Sequence, residues 1–238
     1  MATKDQRRQK KLERKKAKRK VVHKELARQK QGGMAAEFAR IASAPIVDCL
    51  VADSLWEQGM GMVLLSRELR NGQVAFANFL VDAYCLGVKD VHAEIRSKPS
   101  YRDDIRGWLL ERGSYQAVSP SHLRKLVESA VEYALDLGFS PHKDYRIGKE
   151  LFGNIDASAC DTEFEFGRDG KPCFIAGPND TPERSLRIVN ILNERGGPDN
   201  FHYMVGISPS HSLMMAGDSD VIDADEWEEV DDVDYLES

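Results

Sequence analysis

The chain has 238 residues, enough for one large domain or two small ones, with 42% apolar residues to build a core and 30% charged residues. Its apolar stretches are far shorter than the ~20 residues that a membrane span needs, and the N-terminus lacks the apolar segment of a secretory signal, so no membrane partner is expected. The formal net charge of −6 conceals a dipolar chain: residues 1–31 carry 14 Lys and Arg against three acids, and residues 217–238 carry 11 acids and no base.

The basic block comes first. Its densest run is "KKLERKKAKRK", residues 10–20. Transit peptides avoid acids and favour Ser and Arg, whereas this block is Lys-rich and carries Asp5, Glu13 and Glu25. It is composed of good helix formers, and Thr3 and Gln6 have the spacing of a capping box. Leu12, Ala17, Val21, Val22 and Leu26 make only a thin apolar stripe, and Gly32-Gly33 supplies a stop. A helix with so little to pack, and with like charges one turn apart, is expected to become firm only on a polyanion. Nucleic acid fits best, RNA before DNA, because basic segments that fold on binding are a common RNA-binding device. Lys10, Lys11, Arg14, Lys15, Lys16, Lys18, Arg19 and Lys20 are the expected phosphate contacts.

A helix follows over 34–43, with Met34, Phe38 and Ile41 on one face and Pro45 closing it. Residues 45–54 read as a strand. The runs "MVLLSREL" and "QVAFANFLVDAYC" flank Asn71-Gly72, the strongest short-range hairpin signal, with both turn residues expected at positive φ. Residues 92–115 are polar and mixed, with Trp108, Leu109 and Leu110 as the expected anchor. Two helices then share one start signal, Ser119-Pro120 and Ser140-Pro141. The first has a wide stripe from Leu123 to Leu137 and stops at Gly138. The second carries Ile147, Leu151 and Phe152 and stops at Gly153. "TEFEFGRDGKPCFIAG" alternates as a strand pair around Asp169-Gly170. A helix follows with Asp180 and Glu183 as a capping box, and "NFHYMVGI" is a last strand. The fold class expected is α+β, or mixed α/β: a single domain of β-hairpins and packed helices over 34–210, between a basic arm (1–33) and an acidic tail (211–238).

Candidate chemistry is sparse. Cys49, Cys85, Cys160 and Cys173 form no C-x-x-C pair and read as reduced thiols of a cytoplasmic chain, or a nuclear one if the source is eukaryotic. Residues 78–90 read as a strand in which Asp82 is an acid inside a long apolar stretch, and a buried carboxylate needs a partner. Lys89 or His92, just beyond the strand, could supply it, and Asp82, Lys89 and Asp90 are the candidate catalytic set of a phosphate-directed, metal-dependent hydrolase or nuclease. Asp161, Asp169 and Lys171 imitate a nuclease pattern, but Asp-Gly has an ordinary turn role. No cofactor or particular metal is indicated. The leading expectation is an RNA-binding accessory protein associated with the ribosome or another ribonucleoprotein. The alternatives are the phosphate-directed enzyme and a protein-interaction module whose charged tails regulate each other.

Overall fold

A computed structural model describes residues 15–16, 18–22, 32–177 and 180–204. The arm's Thr3 and Gln6, its cations before Lys15, and the acidic tail lie outside the described residues.

Apolar alternation with period two decides the architecture. In β2 (Met60–Glu68) and β3 (Gln73–Asp82), Val63, Leu65, Ala75, Ala77, Phe79 and Val81 belong to one core, while Leu64, Val74 and Phe76 belong to another. A strand apolar on both faces must be covered on both faces. With β1 (Ile46–Ala52), β4 (Gly87–Ser97) and β5 (Tyr115–Ala117), these strands form an antiparallel sheet of order β4-β3-β2-β1-β5. The larger core lies under α1 (residues 32–41), α4 (Pro120–Asp136) and the short α5 (Tyr145–Gly148), which continues as a 3₁₀ turn to Phe152. The other face is covered by α3, a continuous helical run over Lys98–Ser100, Tyr101–Gly107 and Trp108–Arg112, whose middle part is π-wound. A five-residue helix, α2 (Ser54–Gln58), joins β1 to β2. A parallel pair, β6 (Cys173–Ile175) and β7 (His202–Met204), connected through α6 (Pro182–Gly196), forms a third core with the β3–β4 turn. This is an α+β fold in one body. Among the described residues, no helix is long and apolar enough to cross a membrane.

Several local signals hold. Ser119 caps α4 by accepting the His122 N–H (3.2 Å), with Pro120 in the first turn, and the stripe from Leu123 to Ala134 is buried. Asp169 and Gly170 both adopt positive φ between the paired Arg168 and Lys171, the geometry of a two-residue turn. The β2–β3 hairpin turns at Asn71-Gly72 but differently from expectation: only Gly72 is left-handed (φ 77°). The Gly72 N–H bonds Leu69 O, and the Leu69 N–H bonds Gln73 O, so one αL glycine closes a longer loop. Asn71 instead accepts the Gln73 N–H through its side chain (3.1 Å).

Six expectations are corrected. Gly32 and Gly33 do not stop a helix; both lie inside α1, whose Phe38 is fully buried. Residues 78–90 are not one strand: the chain turns after Asp82 and returns as β4, which takes up the polar 92–97, and α3 then occupies 98–112. Of the expected anchor only Leu109 is buried, with Tyr101 beside it in the same core. Ser140-Pro141 caps nothing, since α5 begins at Tyr145 after Asp144. "TEFEF" forms no strand. It runs irregularly, with Phe166 stacked on Tyr133 of α4 and Phe164 on Trp56 of α2, and β6 finds its partner in β7. The cap of α6 is Thr181, accepting the Arg184 N–H, rather than Asp180.

A buried arginine ties the elements of the larger core. Arg67, on β2, donates from Nη1 to Ala44 O (2.6 Å) just after α1, and from Nε and Nη2 to Leu151 O (2.9 Å) and Phe152 O (3.1 Å) after α5. Helix ends leave carbonyls without intrahelical partners, and one guanidinium satisfies three. Replacing Arg67 with Ala should therefore cost about 3–5 kcal/mol, because buried carbonyls lose their donor as packing is lost. Urea unfolding of the variant checks this. A loss below about 1 kcal/mol would mean that water replaces the guanidinium.

Candidate functional site

Two regions hold the candidate residues read from the sequence. The first is the arm. Lys15, Lys16, Lys18, Arg19 and Lys20 lie on helical turns and all are exposed. Val21 and Val22 are also exposed, at 63% and 56%, so every described residue of this stretch is exposed. Lys15 with Arg19, and Lys16 with Lys20, are one turn apart, which repels in isolation and suits a ladder of phosphates. Lys10, Lys11 and Arg14 lie outside the described residues.

The second region is the end of β3. Asp82 is buried, with 3% of its surface exposed. Its Oδ1 accepts the N–H groups of Tyr84 (3.0 Å) and Cys85 (2.9 Å), so the carboxylate ends one strand and shapes the turn that starts the next. Gly87, in the left-handed region (φ 63°), completes the turn. A Cβ there would stand 2.5 Å from Ala130 O, because the turn presses against α4. Burial pushes the Asp82 carboxyl up to about 6, against the lowering effect of the Cys85 N–H and the nearby Lys89 cation.

Lys89 is the extra residue of a β-bulge: Leu80 pairs with Asp90 and Val81 with Val88. Its Nζ reaches Asp180 Oδ2 at 3.2 Å, and both side chains are largely buried. Asp180 also accepts the Gly177 N–H (2.7 Å) and meets Arg184 at 2.8 Å. Burial alone would raise the Asp180 carboxyl; the Gly177 N–H and the Lys89 cation outweigh it and hold the pKa below the usual carboxylate range. The third candidate, Asp90, lies apart. Its carboxylate is 64% exposed, accepts the adjoining Val91 N–H (2.7 Å), and stands 3.7 Å from His142. The structure thus brings Asp82 and Lys89 into electrostatic reach, adds Asp180, and places Asp90 on the surface. The cavity beside Asp82 measures about 50 Å³, between Met60, Tyr84, Cys173 and Ile175, room for one or two waters.

The other sequence candidates are dispersed. Asp169 sits on the exposed turn, and Lys171 donates to Asp199 O (2.7 Å). Among the described residues no group of three or more His, Cys, Asp or Glu is arranged to hold a metal ion. All four cysteines are free and buried.

One buried polar cluster went unnoticed in the sequence. Asp48 on β1 and Ser66 on β2 meet Tyr101 of α3, whose Oη donates to Asp48 Oδ2 (2.7 Å) and lies 2.9 Å from Ser66 Oγ. Arg106 closes the set with Nε 3.0 Å from Asp48 Oδ1. Burial pushes the Tyr101 phenol up, so it remains a donor. The signal was available: Asp48 and Ser66 are polar residues inside apolar strands, as Asp82 is. The chain matches no protein-family model, no curated protein and no solved structure.

Asp82 makes stability depend on pH. Its carboxyl holds a proton more tightly folded (about 6) than at its ordinary value of 3.8. The stabilisation from the neutral form is complete below the unfolded pKa and is lost as pH rises through about 6, worth about 3 kcal/mol. Asp82→Asn keeps an acceptor for the turn without titrating. Urea unfolding of both proteins at pH 4 and pH 7 should show wild type losing about 2 kcal/mol relative to the variant, because at pH 4 the unfolded carboxyl is already partly ionised. A gap independent of pH would mean that Asp82 does not titrate in this window.

Proposed function

We propose that this chain is an RNA-binding accessory protein, associated with the ribosome or another ribonucleoprotein, whose arm supplies affinity and whose body supplies position or a protein contact. One observation carries the reading: five cations leave a helical stretch whose described residues are all exposed, whereas prominent cations of the body are spent internally. Arg67 serves three carbonyls, Lys89 serves Asp180, Arg106 serves Asp48 and Arg124 serves Glu128. The segment between the charged ends, 32–216, carries 19 Lys and Arg against 25 acids and repels phosphate. Contact with a polyanion therefore falls to the arm, and a short basic helix that orders on its ligand suits RNA. The same role places the chain in the cytoplasm, or in the nucleus if the source is eukaryotic.

Replacing Lys15, Lys16, Lys18, Arg19 and Lys20 together with Gln removes five of the proposed contacts. The slope of log affinity against log salt for single-stranded RNA should fall by about 3.5, at roughly 0.7 per phosphate contact. Thermal unfolding of the body should not move, because these side chains pack on nothing. Filter binding at several salt concentrations reads the first quantity and circular dichroism the second. An unchanged salt slope would remove the arm from the interface.

A further inference from the structure

The sheet has two edges. One is the three-residue β5; the other is β4, Gly87–Ser97. The start of β4 is closed, because Val88 O accepts the His142 N–H (2.9 Å). Beyond the bulge, among the described residues, residues 91–95 make no backbone–backbone hydrogen bond outside the sheet ladder. The Val91 N–H points away from β3, since it is held by the Asp90 carboxylate. Antiparallel alternation then turns the backbone groups of Ala93 and Ile95 outward as well.

Charged residues on an edge strand ordinarily discourage pairing. Here their order is self-complementary. Laid antiparallel on a copy of itself with Ala93 opposite Ala93, β4 sets Asp90 against Arg96, His92 against Glu94 and Val91 against Ile95, on both sides of the two-fold axis. The outward backbone groups of Val91, Ala93 and Ile95 fall into hydrogen-bonded pairs in that same register. Moving the axis to Ile95 keeps Glu94 against Arg96 but opposes His92 to Lys98, leaves Asp90 opposite Ser100 and runs past the end of β4 into the helix that begins at Lys98; moving it to Val91 would oppose Val88 and Glu94 and leave Arg96 beyond the pairing. Charge and backbone direction select one register.

We propose that the chain forms a two-fold dimer by antiparallel pairing of β4 edges over residues 90–96, centred on Ala93, so that one sheet runs through both copies. On pairing, the Val91 N–H exchanges the Asp90 carboxylate for Ile95 O of the second copy, and the released carboxylate meets Arg96 of that copy. Arg96 and His92 already contact Glu94 on their own strand, at 2.8 and 3.4 Å, so the dimer replaces charge contacts as well as adding them. A short edge also buries less than the roughly 1,600 Å² of a standard interface. The association is therefore concentration-dependent. It stands independently of the RNA-binding reading, which concerns the arm.

Light scattering on the full-length protein from about 1 to about 200 µM tests it. The mass should rise from monomer to dimer. Asp90→Arg and Arg96→Asp each set like charges face to face and should keep the chain monomeric; combining them restores opposite charges and should restore the dimer. Ala93→Cys should give a disulfide-linked dimer on oxidation, because hydrogen-bonded partners stand with Cα atoms about 5.5 Å apart. Ser97→Cys, placed opposite Lys89, should not. A monomer at every concentration overturns the proposal. So does a dimer that survives both single reversals, which would place the contact in the charged ends, or a combined variant that is folded by circular dichroism and still monomeric.

Discussion

The carboxylate of Asp82 is the hinge of this structure. By accepting the N–H groups of Tyr84 and Cys85 it bends an apolar run that would otherwise continue, and β4 exists because of that bend. The turn is also where the third core begins. Cys85 and Leu86 pack with Phe174 and Ile188, the Cys173 N–H bonds Tyr84 O, and the Gly167 N–H bonds Ala83 O. A few residues thus join the antiparallel sheet to the β6–α6–β7 unit. Lys89 and Asp180 form a second tie between the same parts, one buried ion pair from the bulge to the segment before α6. Breaking a buried pair by removing one partner leaves an uncompensated charge, so these residues are constrained whether or not chemistry occurs there.

The same logic runs through the rest of the sheet. A sheet covered on both faces leaves little water for polar groups, and each one inside must find its partner in the protein. Arg67 finds three carbonyls at helix ends. Asp48 and Ser66 find Tyr101 and Arg106 beneath the π-wound part of α3. The π winding and the cluster coincide at Tyr101, where the helix must place a phenol against the sheet while Ile105 and Leu109 fill the same core. Each network fixes a helix to a particular strand. An apolar contact alone would leave its position less defined.

Charge is partitioned between these tasks. In the body much of it is structural, taken up by ion pairs and carbonyls. In the exposed stretch around Lys15–Lys20 it faces solvent, and the proposed polyanion contact rests on that contrast. On β4 the charges alternate in an order that a second copy complements, so the edge is both protected from arbitrary strands and matched to its own kind.

By itself the sequence determined what depends on near neighbours. The α+β class, the turns at Gly72 and Asp169-Gly170, the Ser119 cap and the buried stripe of α4 follow from local backbone preference and period. Phe38, Leu151 and Phe152 were legible as core for the same reason. Asp82 was legible as an anomaly, a charge where an apolar residue was due, but its role was not. Whether it would meet Lys89, a metal or its own turn depends on where the chain reverses, and an apolar run such as 78–90 has no Gly-Pro or Asn-Gly mark at that point. Only the tertiary structure decided that Lys89 pairs with Asp180, 91 residues away, that Arg67 serves the ends of two helices, and that β6 pairs in parallel with β7 rather than with the neighbouring "TEFEF". These contacts join residues far apart in the chain, and their free energy comes from desolvating both partners together, a quantity that neither residue carries alone.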